Sequence, residues 1–235
     1  MLPATRVRLE IAQKSPILPT TTHTLAPKSI RNIVGVLKQI LGKGRWRDWR
    51  LVLPEVPQKE LRFFTPEEMR LIINAAKGQW RIIFAMLACT GLRCGEVCGL
   101  HVEDLMNLAA CQIMVKRAIW RGLEISTKSK RSYRLVDIEP ALAEMLRQHL
   151  NGRTTGRVFA TKLGTPFSKD NLRRKLRDIL LQLGLKSAGL HAFRHRRVSI
   201  LQENKVPGDW IKAWVGHSSL RTTSRYTHFG PNFRL

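Results

Sequence analysis

Long apolar runs and acidic side chains are scarce in this sequence of 235 residues. No stretch approaches the roughly 20 apolar residues that a membrane-spanning helix needs, and the first residues lack the apolar run of a signal peptide. Asp and Glu number 17 against 41 Lys and Arg, which gives a formal net charge of +24. We therefore expect a protein without a membrane partner, acting in the cytoplasm on a polyanion.

Cysteine is limited to four residues, three of them in one short apolar segment. The spacing of Cys89, Cys94 and Cys98 differs from zinc-binding patterns, and no histidine pair lies nearby to complete one. Reduced core thiols are the simplest interpretation. We expect no metal, no disulfide framework and no cofactor.

The pattern along the chain changes at about residue 60. Residues 1–60 hold a lead-in rich in Thr, Pro and basic residues, then one amphipathic helix that ends at Gly42. A firm helix start follows at Thr65, where Thr-Pro-Glu-Glu supplies an N-cap, a proline and a capping-box glutamate. We expect a small N-terminal segment over residues 1–60 and a larger domain over residues 61–235.

The larger domain shows two kinds of periodicity. Helical patterns with glycine breaks run to about residue 100 and return beyond Glu139. Between them, residues 111–138 form β-rich runs around a Lys-Ser-Lys-Arg turn, which predicts an antiparallel hairpin with Lys128 at its tip. The predicted fold class is mainly α with a small antiparallel β-sheet, an α+β arrangement.

Four separated segments contain basic or nucleophilic residues that core packing explains poorly. They are Thr90 to Glu96, Thr127 to Arg131, Leu190 to His195, and Val215 to Ser219 followed by Tyr226. Each signal is weak alone, because an arginine after Gly-Leu is usually a surface residue and a tyrosine is often half-buried in a core. Their order and joint presence are the informative feature.

This set resembles the tyrosine recombinase or phage integrase family, whose members carry Arg, Lys, His-x-x-Arg, His and Tyr in this order. The matching motifs are Thr-Gly-Leu-Arg-x-Gly-Glu at 90–96, Leu-His-x-x-Arg-His at 190–195, Gly-His-Ser-Ser at 216–219 and Thr-Thr-x-x-Tyr-x-His at 222–228. The resemblance implies a catalytic domain over residues 61–235, preceded by an arm and a partial core-binding segment. It also implies a site-specific recombinase or integrase acting on double-stranded DNA, of a phage, another mobile element or a chromosome-maintenance system.

Within this resemblance, Tyr226 is the expected nucleophile and forms a 3′-phosphotyrosyl bond. Arg93 and Arg194 are the expected ligands of the non-bridging oxygens, because guanidiniums hold a phosphate in bidentate fashion without a metal. A tyrosine oxygen is a weak nucleophile at its ordinary pKa of about 10, so it needs neighbours that take its proton.

The remaining roles fall to a lysine and two histidines. Lys128 is expected to protonate the leaving 5′-oxygen, with Lys130 as its rival. His191 is expected to act as acid or base beside the tyrosine, and His217 to hydrogen-bond a phosphate oxygen. The diester energy is kept in the phosphotyrosyl bond, so no ATP is required.

Neighbouring residues carry open alternatives. His195 is expected to pack or to bond to the backbone. Glu96 either orients a basic side chain or occupies a solvated helix position. Arg196 and Arg197 depart from the small or apolar residues expected there in many relatives. They are candidates for additional phosphate contacts, and they leave the packing of their helix open.

Three functions fit these features. An active recombinase is favoured by the intact set of six side chains, and an inactive remnant that only binds DNA is favoured by the incomplete core-binding segment. A type IB topoisomerase uses the same chemistry but fits the motif spelling less well. Nine residues follow Tyr226, too few for a long docking helix. We therefore expect a monomer in solution that forms a tetramer on paired DNA sites, in the cytoplasm with the nucleoid.

Overall fold

The computed structural model describes residues 25–46, 52–57, 62–126 and 133–216. The chain divides into two compact units, Met1–Lys59 and Glu60–Leu235. In the first unit, helix α1 spans Pro27–Trp46 and is interrupted at Gly42, whose φ of 69° and ψ of 169° are not helical. The regular part of this helix therefore ends at the glycine that the sequence indicated.

The second unit is mainly helical. Its helices are α2 (Pro66–Ala75), α3 (Gln79–Thr90), α4 (Cys94–Cys98), α5 (Pro140–Leu150), α6 (Lys169–Gln182), α7 (His191–Glu203) and α8 (Gly208–Val215). Two short 3-10 helices, Val102–Leu105 and Leu108–Ala110, lead from α4 towards the strands.

Local chemistry sets the ends of these helices. The hydroxyl of Thr65 accepts from the backbone N–H of Glu68 at 3.1 Å, and the Glu68 carboxylate accepts from the backbone N–H of Thr65 at 2.9 Å. This capping box starts α2. Helix α3 ends at Gly91, which has a φ of +67°, a left-handed conformation that strains other residues.

Four short strands follow the 3-10 helices. They are β1 (Gln112–Val115), β2 (Arg117–Trp120), β3 (Leu123–Ser126) and β4 (Arg134–Asp137). In the described residues they form two antiparallel two-stranded sheets, β1 with β4 and β2 with β3. The predicted fold class, mainly α with small antiparallel β-structure, is confirmed. The run predicted as one strand over 111–119 is divided at Lys116, and the strands on either side of Lys128 pair with other partners.

The main core surrounds α3, which is buried on nearly all sides. Aromatic rings of α3 and α7 stack there, with the ring centroids of Phe84 and Phe193 5.9 Å apart. A second, smaller cluster joins α7 to α8 through Val198, Leu201 and Val215. Helix α7 is thereby fixed against α3 on one side and against α8 on the other.

Candidate active site

Two of the predicted arginines meet at the end of helix α3. Arg194 lies in the first turn of α7, its side chain is buried, and its Nη1 donates a hydrogen bond to the carbonyl oxygen of Gly91 at 2.8 Å. Arg93, two residues after Gly91, is the N-cap of α4. Residues far apart in the sequence therefore come together where α3, α4 and α7 meet.

The Arg93 side chain is held from one side and remains 44% exposed. Its Nη1 donates to Oε1 of Glu96 at 3.1 Å, and its Nη2 donates to the carbonyl oxygen of Gly216 at 2.6 Å. A guanidinium carries several N–H donors in a planar fork. Arg93 can therefore bind an oxyanion while these two contacts fix its position.

Glu96 is a buried carboxylate between two guanidiniums. Its Oε2 accepts from the backbone N–H of Arg93 at 2.8 Å and from Nη2 of Arg134 at 2.9 Å. Burial raises the pKa of Glu96, but the charge and hydrogen bond of Arg134 and the contacts of Arg93 outweigh burial and lower it. Of the two interpretations of Glu96, orientation of a basic side chain is confirmed, and a solvated position is wrong.

Arg134 is a residue of this network that the sequence analysis missed. It begins strand β4, and its Nε donates to the carbonyl oxygen of Trp214 at 3.0 Å. The only sequence signal was an arginine placed shortly after the Lys128 segment. Strand periodicity predicts on which face a side chain lies, but not which residue it contacts across the fold.

His191 is the first residue of α7 and is exposed. Its pKa is lowered from the ordinary 6.5, first by partial burial and then by the positive charges of Lys169, Arg194, Arg93 and Arg173. The three predicted site residues that the structure describes therefore share one basic site. Lys169 and Arg173 of α6 belong to its surroundings and were not singled out from the sequence, although the basic run that contains them was visible.

The other three predicted site residues lie outside the described residues. Lys128 and its rival Lys130 fall between β3 and β4, His217 follows Gly216, and Tyr226 lies further along the chain. Their assignments remain predictions.

His195 is partly buried and packs against a neighbouring ring, as expected from the sequence. Its ring lies edge-on to Phe63 with centroids 6.0 Å apart. Burial, followed by the charges of His191 and Arg194, lowers the pKa of His195 to about 4. The ring is therefore neutral in the folded protein near pH 7.

This lowered pKa predicts a loss of stability in mild acid. Between the ordinary pKa of 6.5 and the folded value of about 4, the unfolded chain takes up a proton that the folded chain does not. The free energy of unfolding therefore decreases as the pH is lowered through this range. The wild-type melting temperature should fall by roughly 2–4 °C more than that of His195→Gln between pH 7 and pH 5. Calorimetry measures both values, and parallel curves for the two proteins would contradict the assignment.

Arg196 and Arg197 make packing contacts in the protein. Nη1 of buried Arg196 lies 2.9 Å from Oε1 of Glu203. The guanidinium carbon of Arg197 lies 5.6 Å from the ring centroid of Trp214. These contacts tie both arginines into the structure, so α7 keeps its packing where the sequence departs from the family pattern.

The described residues hold neither a metal site nor a membrane-spanning helix. Within the described part of the chain, no group of three or more His, Cys, Asp or Glu side chains could hold a metal ion. None of the helices that the structure describes is both long and apolar enough to cross a membrane.

Burial raises the pKa of Cys89 to about 11 and that of Cys98 to about 12, which keeps these thiols protonated.

The fold resembles that of solved integrases and recombinases. The structure of the Tn1549 transposon integrase in complex with a circular intermediate DNA superposes with a TM-score of 0.74 at 16% identity, covering 86% of this chain and 75% of that one. XerA recombinase gives a TM-score of 0.61 at 22% identity, covering 87% and 79%. At these identities the likeness shows the fold alone.

Family membership rests on the sequence. The model of the phage integrase family matches residues 62–232, and the chain belongs to that family. A tyrosine recombinase XerC-like protein of Caldanaerobacter subterraneus is 30% identical, covering 77% of this chain and 55% of that protein. The ICEBs1 integrase of Bacillus subtilis is 26% identical, covering 88% and 63%. The chain thus spans less than two thirds of the length of these relatives.

Proposed function

We propose that this chain breaks and rejoins DNA strands as a site-specific recombinase, with Tyr226 as its nucleophile. The observation that carries the proposal is the convergence of Arg93, His191 and Arg194 at the ends of α3 and α7. Membership of the phage integrase family and the recombinase and integrase names of its relatives support the same function. Because the chain spans less than two thirds of the length of these relatives, the activity of the whole protein is also part of the proposal.

Cleavage begins with attack of the Tyr226 Oη on the phosphorus of a phosphodiester. The P–O5′ bond breaks, the phosphate stays on the 3′-oxygen, and the tyrosine becomes esterified. The phenol proton passes to His191, and the departing 5′-oxygen takes a proton from Lys128. Attack by a 5′-hydroxyl reverses these steps, reseals the strand and frees the tyrosine. No ATP is consumed, because one phosphoester replaces another.

Charge stabilisation comes from Arg93 and Arg194, with His217 as a further hydrogen-bond donor to the phosphate. Negative charge grows on the non-bridging oxygens during attack, and guanidiniums held in fixed positions stabilise such charge without reorganising. The lowered pKa of His191 favours the neutral imidazole, which is the form that can accept the phenol proton. The surrounding cations of α6 favour binding of the DNA backbone.

The partner in this proposal is double-stranded DNA, bound in the cytoplasm where the nucleoid lies. Strand exchange needs four cleavage centres, so the protein assembles as a tetramer on two paired sites. In the absence of DNA it is mainly monomeric. Light scattering with and without paired sites measures this assembly, and a stable tetramer without DNA would contradict it.

The proposed chemistry is tested with a pool of nicked duplexes whose central sequence is randomised. Cleavage beside a nick releases a short oligonucleotide, so the covalent protein–DNA adduct cannot be resealed and survives a denaturing gel. Trypsin cuts after Arg225 and Arg234, and mass spectrometry should find the nucleotide on the peptide between them, which contains Tyr226.

Other results would favour the alternative functions. DNA binding without any adduct would identify a remnant that only binds DNA. Relaxation of supercoiled plasmid without strand exchange between sites would identify a topoisomerase. A nucleotide on another peptide would refute Tyr226 as the nucleophile.

A further inference from the structure

Arg134 closes the C-terminal end of helix α8. Only 15% of its side chain is exposed. Its Nε donates to the carbonyl oxygen of Trp214 at 3.0 Å, and its Nη2 lies 3.4 Å from the carbonyl oxygen of Val215. The last carbonyls of a helix have no partner within the helix, and a cation is favoured there by the helix dipole. Arg134, which belongs to strand β4, supplies both a hydrogen-bond donor and a positive charge at this helix end.

Gly216 lies close against this guanidinium. Its φ is +71°, and a Cβ built there would lie 2.9 Å from the guanidinium carbon of Arg134. The left-handed conformation strains any other residue, and a Cβ at this position would also require the Arg134 side chain to shift. Gly216, which ends α8 and directly precedes His217 in the sequence, is therefore held against Arg134 at the start of β4.

The same guanidinium reaches the candidate active site through Glu96. Nη2 of Arg134 and Nη1 of Arg93 bind different oxygens of this one buried carboxylate, at 2.9 and 3.1 Å. Arg93 also donates to the carbonyl oxygen of Gly216 at 2.6 Å. Arg93 and Arg134, joined by one carboxylate, thus both donate to carbonyl oxygens at the end of α8.

We infer that Arg134 is a positioning residue for DNA cleavage, which fixes the end of α8 and the orientation of Arg93 relative to each other without contacting DNA. The inference rests on the proposed function. It follows because Arg134 is the shared partner of Glu96 and of the carbonyls that precede His217. Displacement of a reacting group by about 1 Å can slow a reaction on the order of 100-fold.

Single-turnover kinetics separate positioning from simple stabilisation. With Arg134→Met at saturating nicked DNA, below the melting temperature of the variant, we expect the rate constant of adduct formation to fall by about 100-fold. The dissociation constant for DNA should stay within about threefold, because the side chain is buried and does not contact phosphate. A purely structural cap would lower the amplitude, through loss of folded protein, and leave the rate constant unchanged.

Arg196→Met is the matched control. Arg196 is similarly buried, with 11% of its side chain exposed, and its Nη1 binds Glu203 at 2.9 Å. This variant also loses an ion pair, but none that connects α8 with Arg93. Its rate constant should equal that of the wild type. An equal slowing in both variants would overturn the inference, since loss of any buried ion pair would then suffice.

A second variant and a second readout cover the remaining outcomes. If Arg134→Met does not fold, Arg134→Lys replaces it, because one ammonium can pair with Glu96 but cannot also reach the carbonyl oxygen of Trp214. A wild-type rate constant in either folded variant would overturn the inference. If the wild type itself forms no adduct, the proposed function fails instead. Hydrogen exchange at the end of α8, which should be faster in the variant, then still tests the positioning contact.

Discussion

Replacing Tyr226 with phenylalanine should abolish the covalent protein–DNA adduct, because the remaining ring has no oxygen to attack phosphorus. DNA affinity should change by less than about tenfold, since one hydrogen bond contributes roughly 0.5–1.5 kcal/mol. Under the proposed function, a chain with a net charge of +24 would bind DNA mainly through its phosphates, and Tyr226→Phe leaves the basic side chains unchanged. A denaturing gel measures the adduct, and a gel-shift titration at fixed salt measures the affinity.

The sequence supplies a matched control, because it contains only one other tyrosine, Tyr133. This residue lies directly before β4 and is 40% exposed. Tyr133→Phe removes the same hydroxyl from a position outside the proposed chemistry, so its adduct should form at the wild-type rate. If Tyr133→Phe lost the adduct and Tyr226→Phe kept it, the nucleophile would have to be reassigned.

Local signals predicted most of the helices, because the features that start and end a helix lie close together in the sequence. The capping box at Thr65 and the glycine at residue 91 are examples, and both are observed. Strand pairing was harder to predict. The turn around Lys128 suggested that its two flanking strands pair, whereas β3 pairs with β2 and β4 with β1. Pairing between separated strands depends on tertiary packing, which periodicity does not encode.

The candidate site also combines residues that the sequence predicted with contacts that only the fold shows. Arg93 and Arg194 were found through motifs, but the carbonyl of Gly91 that joins their two segments emerges only when α7 packs beside α3. Arg134 belongs to none of the four motifs, and its importance arises from contacts with an acid and a helix end that are distant in sequence. Residue types indicated the chemistry, whereas the supporting contacts required the fold.

Substitution of Arg194 by lysine should slow adduct formation by about 100- to 1000-fold while leaving the protein folded. The reason is geometric, because lysine keeps the positive charge but has no planar fork to hold a phosphate in bidentate fashion. It also loses the guanidinium that donates to the carbonyl of Gly91 at 2.8 Å. Removing one fixed donor that stabilises transition-state charge costs roughly 3–4 kcal/mol in comparable sites. DNA affinity should fall much less, because most phosphate contacts remain.

Arg196→Lys provides the comparison within the same helix. Arg196 is also buried but pairs with Glu203, a contact that an ammonium can retain. Its rate constant should stay within about threefold of the wild type, since an ion pair with the last residue of α7 has no part in charge stabilisation. Single-turnover rates at saturating nicked DNA, with circular dichroism to verify folding, decide between the variants. A folded Arg194→Lys protein that cleaves at the wild-type rate would show that the reaction needs only a positive charge there, and the assignment of Arg194 as a phosphate-holding guanidinium would be wrong.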